Sequence, residues 1–204
     1  MCVDVRRLAE LTAELAAGTA APGRKRAAAL RDYPGNVFAE IRNHHDTEDA
    51  VMWPVIVAAA GPHADLVQLT DDHHRLDPML KGGRVIAAEH ATAPADRETA
   101  GRLSAVLQEL SELLDRHVAT EEREVFPLIS QFVRVDDFTW AERHLQRNVA
   151  LRLLPFLVPW VIRHATAPER AQILGQACLV LRIVLKVFGA RFAAQERLVF
   201  GGTL

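Results

Sequence analysis

The sequence predicts an all-α protein: an up-down four-helix bundle with an additional apolar helical annex at its C-terminal end. Three observations carry this. No segment alternates apolar and polar residues as a half-buried strand does, and valine and isoleucine are scattered rather than clustered. Leucines recur at helical spacing over long stretches, most clearly at 103, 107, 110, 113 and 114. Glycine and proline breaks then divide the first two thirds of the chain into four long stretches joined by short turns, the pattern of antiparallel helical neighbours.

Each element follows in order. Leu8, Leu11 and Leu15 mark the first helix, and Gly18 to Gly23 form a loop. The second helix starts near Arg24, is expected to be disturbed at Pro34-Gly35, and resumes from Val37 to Ala60, where Gly61-Pro62 breaks it. The third runs from about His63 to Glu89, with kinks expected at Pro78 and Gly82-Gly83. The fourth runs from about Arg97 to Phe132. Residues 1–132 thus form the bundle and residues 133–204 an extension packed on it. In that extension Asp136-Asp137 cap a short helix holding Trp140, and two or three strongly apolar helices fill Leu151 to Phe200. Apolar residues surround these last helices instead of forming one stripe, so burial on more than one side, against the bundle or a second copy of the chain, is expected.

Composition excludes several classes. The 204 residues are 50% hydrophobic and 25% charged with a net charge of −2, so no basic surface for nucleic acid is advertised. The run from Val149 to Ile162 is broken by Arg152, Pro155 and Pro159, and the run from Ile173 to Phe188 carries Arg182 and Lys186. Neither reaches the roughly 20 clean residues of a membrane span. Cys2 and Cys178 are too few for a disulfide framework, and the N-terminus has no apolar signal core, so a reducing cytoplasm is expected.

Two stretches read almost as one sentence: HHDTEDAVMWP from His44 to Pro54, and HVATEEREVFP from His117 to Pro127. On a helix, residues four apart lie on one face, so His44 with Glu48, and His117 with Glu121, each present an imidazole and a carboxylate in one direction. Two such helices facing across a bundle place both pairs around one point, and His73 supplies a third imidazole. That is how a helical bundle builds a dinuclear metal site, with bridging carboxylates and terminal histidines. The ligand types suit iron, manganese or zinc. Val51, Met52 and Trp53, with Val125 and Phe126, would seal the site with apolar bulk. His45 points about 100° from His44, at the edge of the site. Asp49 and Glu122 are placed to orient a ligating imidazole through its other nitrogen.

At these residues the chain resembles the hemerythrin-like family, in its HHE cation-binding branch. The match covers about residues 1 to 132: His44-x-x-x-Glu48, the His73-x-x-Leu76-Asp77 phrase, and His117-x-x-x-Glu121-Glu122 with Phe126-Pro127. The resemblance implies a non-haem di-iron centre that meets O2, peroxide or related small oxidants, with Glu48 and Glu121 bridging and His44, His73 and His117 terminal. The extension, with its LPFLVPW phrase, resembles those of some actinobacterial members. It leaves two further readings: an oxygenase holding a small apolar organic substrate under the annex, and a metal-binding regulatory module without turnover. A homodimer through the apolar C-terminal helices would account for the same residues.

One ligand of the family pattern is missing. His73 and His117 stand 44 residues apart, and counting as far back from His44 falls one residue before Met1, where the family places its first histidine. No histidine precedes His44. A start further upstream, replacement by Cys2 or Asp4, or an open position would each account for this. An open or water-completed site with Asp4 as the substitute is expected, because a carboxylate suits iron.

Overall fold

The computed structural model describes residues 1–18, 23–148 and 151–201, and the regular structure among them is helical throughout. Four long rods form the bundle. The first is α1 (Cys2–Ala17), which stops where Gly18 takes the left-handed conformation at φ 77° and returns its N–H to the carbonyls of Glu14 and Leu15. The second is α2 (Arg24–Thr47), continued through a π turn (Glu48–Met52) into α3 (Trp53–Ala60). The third is α4 (Val67–Thr92). The fourth is α5 (Arg97–Thr120), continued through a second π turn (Glu121–Val125) into α6 (Phe126–Phe132).

Contacts between the rods fix their directions. Arg42 reaches Asp77 while Phe38 lies against Gly83, so α2 and α4 are antiparallel. His73 meets His117 while Glu89 pairs with Arg102, so α4 and α5 are too. Arg6 pairs with Asp115 while Ser104 donates to the Ala9 carbonyl, which makes α1 antiparallel to α5. The up-down bundle of the sequence analysis is therefore present. Gly83 is what lets α2 and α4 close: a Cβ there would stand 3.1 Å from the Phe38 ring.

Three breaks expected from the sequence are not breaks. α2 runs unbroken through Pro34-Gly35, and α4 through Pro78 and through Gly82-Gly83. Interior proline costs about 3 kcal/mol of helix, but Tyr33, Val37, Phe38 and Ile41 around Pro34 are buried, and each such side chain returns about 1.5–3 kcal/mol. The third rod begins later than expected. Gly61–His63 form a 3₁₀ turn, and the Asp65 carboxylate accepts from the Val67 amide at the start of α4.

The extension comprises α7 (Val135–Asn148), a 3₁₀ turn (Leu151–Leu153), α8 (Leu154–His164), α9 (Ala167–Gln176) and α10 (Leu179–Phe200). Phe156, Trp160, Phe192 and Val199 belong to the same buried cluster as Leu8, Tyr33, Leu107 and Leu110 of the bundle. Tyr33 is the hub of this junction, edge-on to Phe156 and Phe200 with both centroids at 5.3 Å. Burial is less complete than the apolar composition suggested: Leu179, Val180, Ile183 and Val187 of α10 are exposed. A smaller cluster of Trp53, Ile56, Leu66, Leu69 and Val125 packs the opposite end, below the two π turns. Among the described residues no helix is long and apolar enough to cross a membrane.

Candidate metal centre

The two copies of the repeated sentence fold alike. In each, a regular helix ends at the glutamate, and the next amide bonds reach one residue too far: Trp53 N–H donates to the Glu48 carbonyl, and Phe126 N–H to that of Glu121. The closing prolines supply the reason. An α-helical path would press the ring of Pro54 against the Ala50 carbonyl, and that of Pro127 against Arg123, four residues before each. Widening the turn relieves both, and such π turns are frequent at functional sites.

Around these turns the predicted residues converge. Glu48 Oε1 lies 3.1 Å from His44 Nε2, and its Oε2 lies 3.6 Å from His73 Nε2. His73 Nε2 faces His117 Nε2 at 3.2 Å, and His117 Nε2 stands 3.4 Å from Glu121 Oε1. All five predicted residues thus surround one volume. Together with His45 they form two groups able to hold a metal ion, His45, Glu48, His73 and His117 in one and His44, Glu48 and Glu121 in the other, each with ligand atoms within 4.8 Å of one another. Glu48 belongs to both.

His45 is the residue the sequence reading placed only at the edge. It is 5% exposed, its ring stacked on His73 at 4.4 Å and edge-on to His117 at 5.0 Å. A signal for this was present: Leu30, Val37 and Ile41 form the buried stripe of α2, and four residues beyond Ile41 that stripe arrives at His45. On α5 the stripe of Leu107, Leu110 and Leu114 arrives at His117. Alignment of the two sentences pairs His117 with His44, whereas burial pairs it with His45, and the His44 side chain is 39% exposed.

The surroundings prepare the cluster for a cation. Asp49 Oδ1 accepts from His73 Nδ1 at 2.9 Å, which leaves the Nε2 lone pair directed at the centre. Asp72, which the sequence reading passed over although it directly precedes His73, lies 3.7 Å from His117 Nδ1. Glu122, the other expected orienting acid, is exposed. Burial and the neighbouring imidazoles push His45 down to about 2, so it is neutral and able to donate a lone pair. Burial, partly offset by the His44 hydrogen bond, holds Glu48 above the usual carboxylate range, with Glu121 adding repulsion. Glu121 goes the other way: burial raises it, but the hydrogen bond from His117 and the charges of His117 and His44 together outweigh burial and hold it below that range.

Asp4 is not at this centre, which corrects the expected substitute ligand. It is 1% exposed and accepts from Tyr33 Oη at 3.1 Å, His164 Nε2 at 2.9 Å and Trp160 Nε1, with Arg7 at 3.2 Å. Its carboxylate is used up in holding α8 to the bundle. Cys2 is also outside both groups of ligands. The apolar seal is one-sided as well: Trp53 stacks 5.9 Å from His73, while Phe126 is 56% exposed.

Buried polar atoms with no partner mark what the cluster lacks. His45 Nδ1 and Glu48 Oε2 are buried and make no hydrogen bond, and such orphans are costly unless something satisfies them. The residues present therefore fit a bound metal. No curated protein and no solved structure matches the chain. The model of the hemerythrin HHE cation-binding domain matches residues 5–129, which span the bundle and every residue of both ligand groups. The chain belongs to the hemerythrin HHE cation-binding domain family.

Proposed function

We propose that the chain holds a pair of iron ions between α2, α4 and α5 and reacts with O2 or peroxide there. The observation that carries this is the sharing of Glu48 by two ligand groups of unlike composition. The inner group is rich in imidazole and buried. The outer group has two carboxylates and the half-exposed His44. Mixed imidazole and carboxylate sets suit iron, with manganese or zinc as competitors. Iron bound there would supply redox change and an exchangeable coordination position.

The protein's own part is positioning and shielding. Asp49 fixes the ring of His73, and Trp53 lies parallel to that ring within 10° and covers its face. Val51 and Val125 close the floor. His44 stands where a small oxidant would enter, because the rest of the cluster is more deeply buried. The two cavities at the annex are lined by none of the ligand residues, which favours a small oxidant over the organic substrate of the oxygenase reading. A regulatory module without turnover would use the same residues.

The test is anaerobic titration of iron into the apo-protein, followed by optical spectra on adding O2 or H2O2. Two binding steps of unequal affinity are expected, then a spectral change on oxidant. A single step with one ion per chain, or two ions with no response to either oxidant, would reject the reading. Two secondary proposals belong with it. A boundary near Phe132, where α6 ends, divides the bundle of residues 1–132 from the extension of 133–204. The exposed Leu179, Val180, Ile183 and Val187 suit a homodimer contact, checked by light scattering. Cys2 and Cys178 are free thiols, as a cytoplasmic location would keep them.

A further inference from the structure

A cavity of about 760 Å³ lies between bundle and annex, walled by α2 and α4 on one side and by the Leu151–Leu153 turn, α8 and α10 on the other. That volume is within the range of small-molecule sites. Four arginines line it, each from a different element: Arg31 on α2, Arg84 on α4, Arg152 on the turn and Arg191 on α10. Among the described residues the one lining acid is Asp32, which pairs with Arg31 at 2.7 Å. Among the described residues, Arg84, Arg152 and Arg191 have no acid within ion-pair distance.

This is an unusual way to spend arginines in a chain whose net charge is −2. Several exposed arginines elsewhere on this surface do pair with acids: Arg6 with Asp115, Arg102 with Glu89 and Arg123 with Glu124. Guanidinium groups that converge from four elements repel each other unless an anion lies between them. Phe156 and Phe192, held against Tyr33, form the apolar wall, with Phe188 beside them. Gly35 leaves the floor open, since a Cβ there would meet nothing within 4 Å.

We propose that this cavity binds a small organic phosphate, its phosphate gripped by the arginines of bundle and annex and its apolar body against Phe156, Phe188 and Phe192. The guanidinium fork matches phosphate oxygens in pairs. A phosphate monoester carries about −1.5 to −2 charge at neutral pH, which three unpaired arginines accommodate better than the single charge of a monocarboxylate. The site stands apart from the metal centre. Arg84 is three turns along α4 from His73, on the order of 15 Å at about 1.5 Å per residue, so the ligand does not touch the metal ligands. The annex thereby has a role of its own, supplying two of the four arginines and the aromatic wall.

The test is isothermal titration of the full metal-loaded chain with adenosine monophosphate and with octyl phosphate, the two arms separating a nucleotide from an alkyl body. Adenosine and inorganic phosphate serve as the halves of the ligand. At least one organic phosphate is expected to bind at least about tenfold more tightly than either half. Arg152→Gln/Arg191→Gln should weaken that binding at least about tenfold, since it removes two of the charge-assisted contacts. Gly35→Leu, which keeps every charge and favours helix, should weaken it comparably by filling the floor. The inference is overturned if neither organic phosphate saturates at about 1 mM, if inorganic phosphate binds as well as both, or if Gly35→Leu with an unchanged melting curve binds as the parent does.

Discussion

Asp4→Ala separates the two roles that this residue could have had. In the structure its carboxylate takes hydrogen bonds from Tyr33, Trp160 and His164 and an ion pair from Arg7. Truncation leaves the phenol of Tyr33 and the indole N–H of Trp160 without acceptors, and both residues are buried. Each orphaned neutral donor costs about 1–3 kcal/mol, and removing one partner of a buried ion pair costs about 3–5 kcal/mol. These terms overlap, and water can reach the partly exposed His164, so about 4 kcal/mol is expected rather than the sum. For a chain of this length one kcal/mol moves the melting temperature by about 2–4 °C, which gives a fall of about 8–16 °C. Thermal denaturation followed by circular dichroism measures it, and metal analysis of the same preparation completes the experiment. Iron content of the folded variant should match the parent. A melting temperature within about 2 °C of the parent, or normal stability with iron lost, would refute the anchoring role and return Asp4 to the metal centre.

The remaining predictions are narrower. Tyr33→Phe should cost about 1.5–3 kcal/mol in urea unfolding, the loss of one hydrogen bond to a charged group, and should leave iron binding unchanged. His45→Ala should lower the affinity of the tighter metal step by at least about tenfold, comparable to loss of an orienting or ligating group; titration with affinity unchanged would show that burial alone explains this histidine. Asp4 also predicts a pH dependence. Burial raises its pKa, but the His164 and Trp160 hydrogen bonds together with the charges of His164 and Arg7 lower it more, so the folded value is below the ordinary 3.8. Its stabilisation is therefore full above that value and is lost as pH falls through the depressed folded pKa. Urea midpoints of apo-protein taken below about pH 4 should fall with pH less steeply in Asp4→Asn than in the parent. Gly83→Leu should destabilise by about 1–3 kcal/mol or more through overpacking against Phe38.

Much of the architecture was legible because it rests on periodicity. The leucines of α5 named its buried face, and the doubled His-x-x-x-Glu spacing named four residues that do converge, with His73 between them. What was not legible depended on rotation and on distant partners. Pro34 looked like a helix breaker because its cost is local, while the burial that outweighs it comes from α4 and the annex. Asp4 looked like a ligand because it occupies the right region of the sequence. Its actual partners, Trp160 and His164, lie more than 150 positions away, where no local pattern connects them.

The repeat leaves one inward residue, His45, outside its own pattern, and the reason bears on the chemistry. Identical spacing within two helices fixes which side chains share a face, but not which way that face is turned. On α5 the histidine of the motif continues the leucine stripe inward, so His117 is buried. On α2 the stripe that passes through Ile41 meets the residue after the motif histidine, so His45 goes inward and His44 is left at the rim. The π turns are the common element: both place a glutamate at the last regular turn before the widened backbone, whichever way the histidines face. Two like motifs at unlike rotations cannot build two like metal positions. The inner position gains an extra imidazole and loses solvent, and the outer keeps two carboxylates and an open side. The unlikeness of the two ligand groups thus follows from a helix rotation set by where an apolar stripe meets a histidine, without any change in the motif.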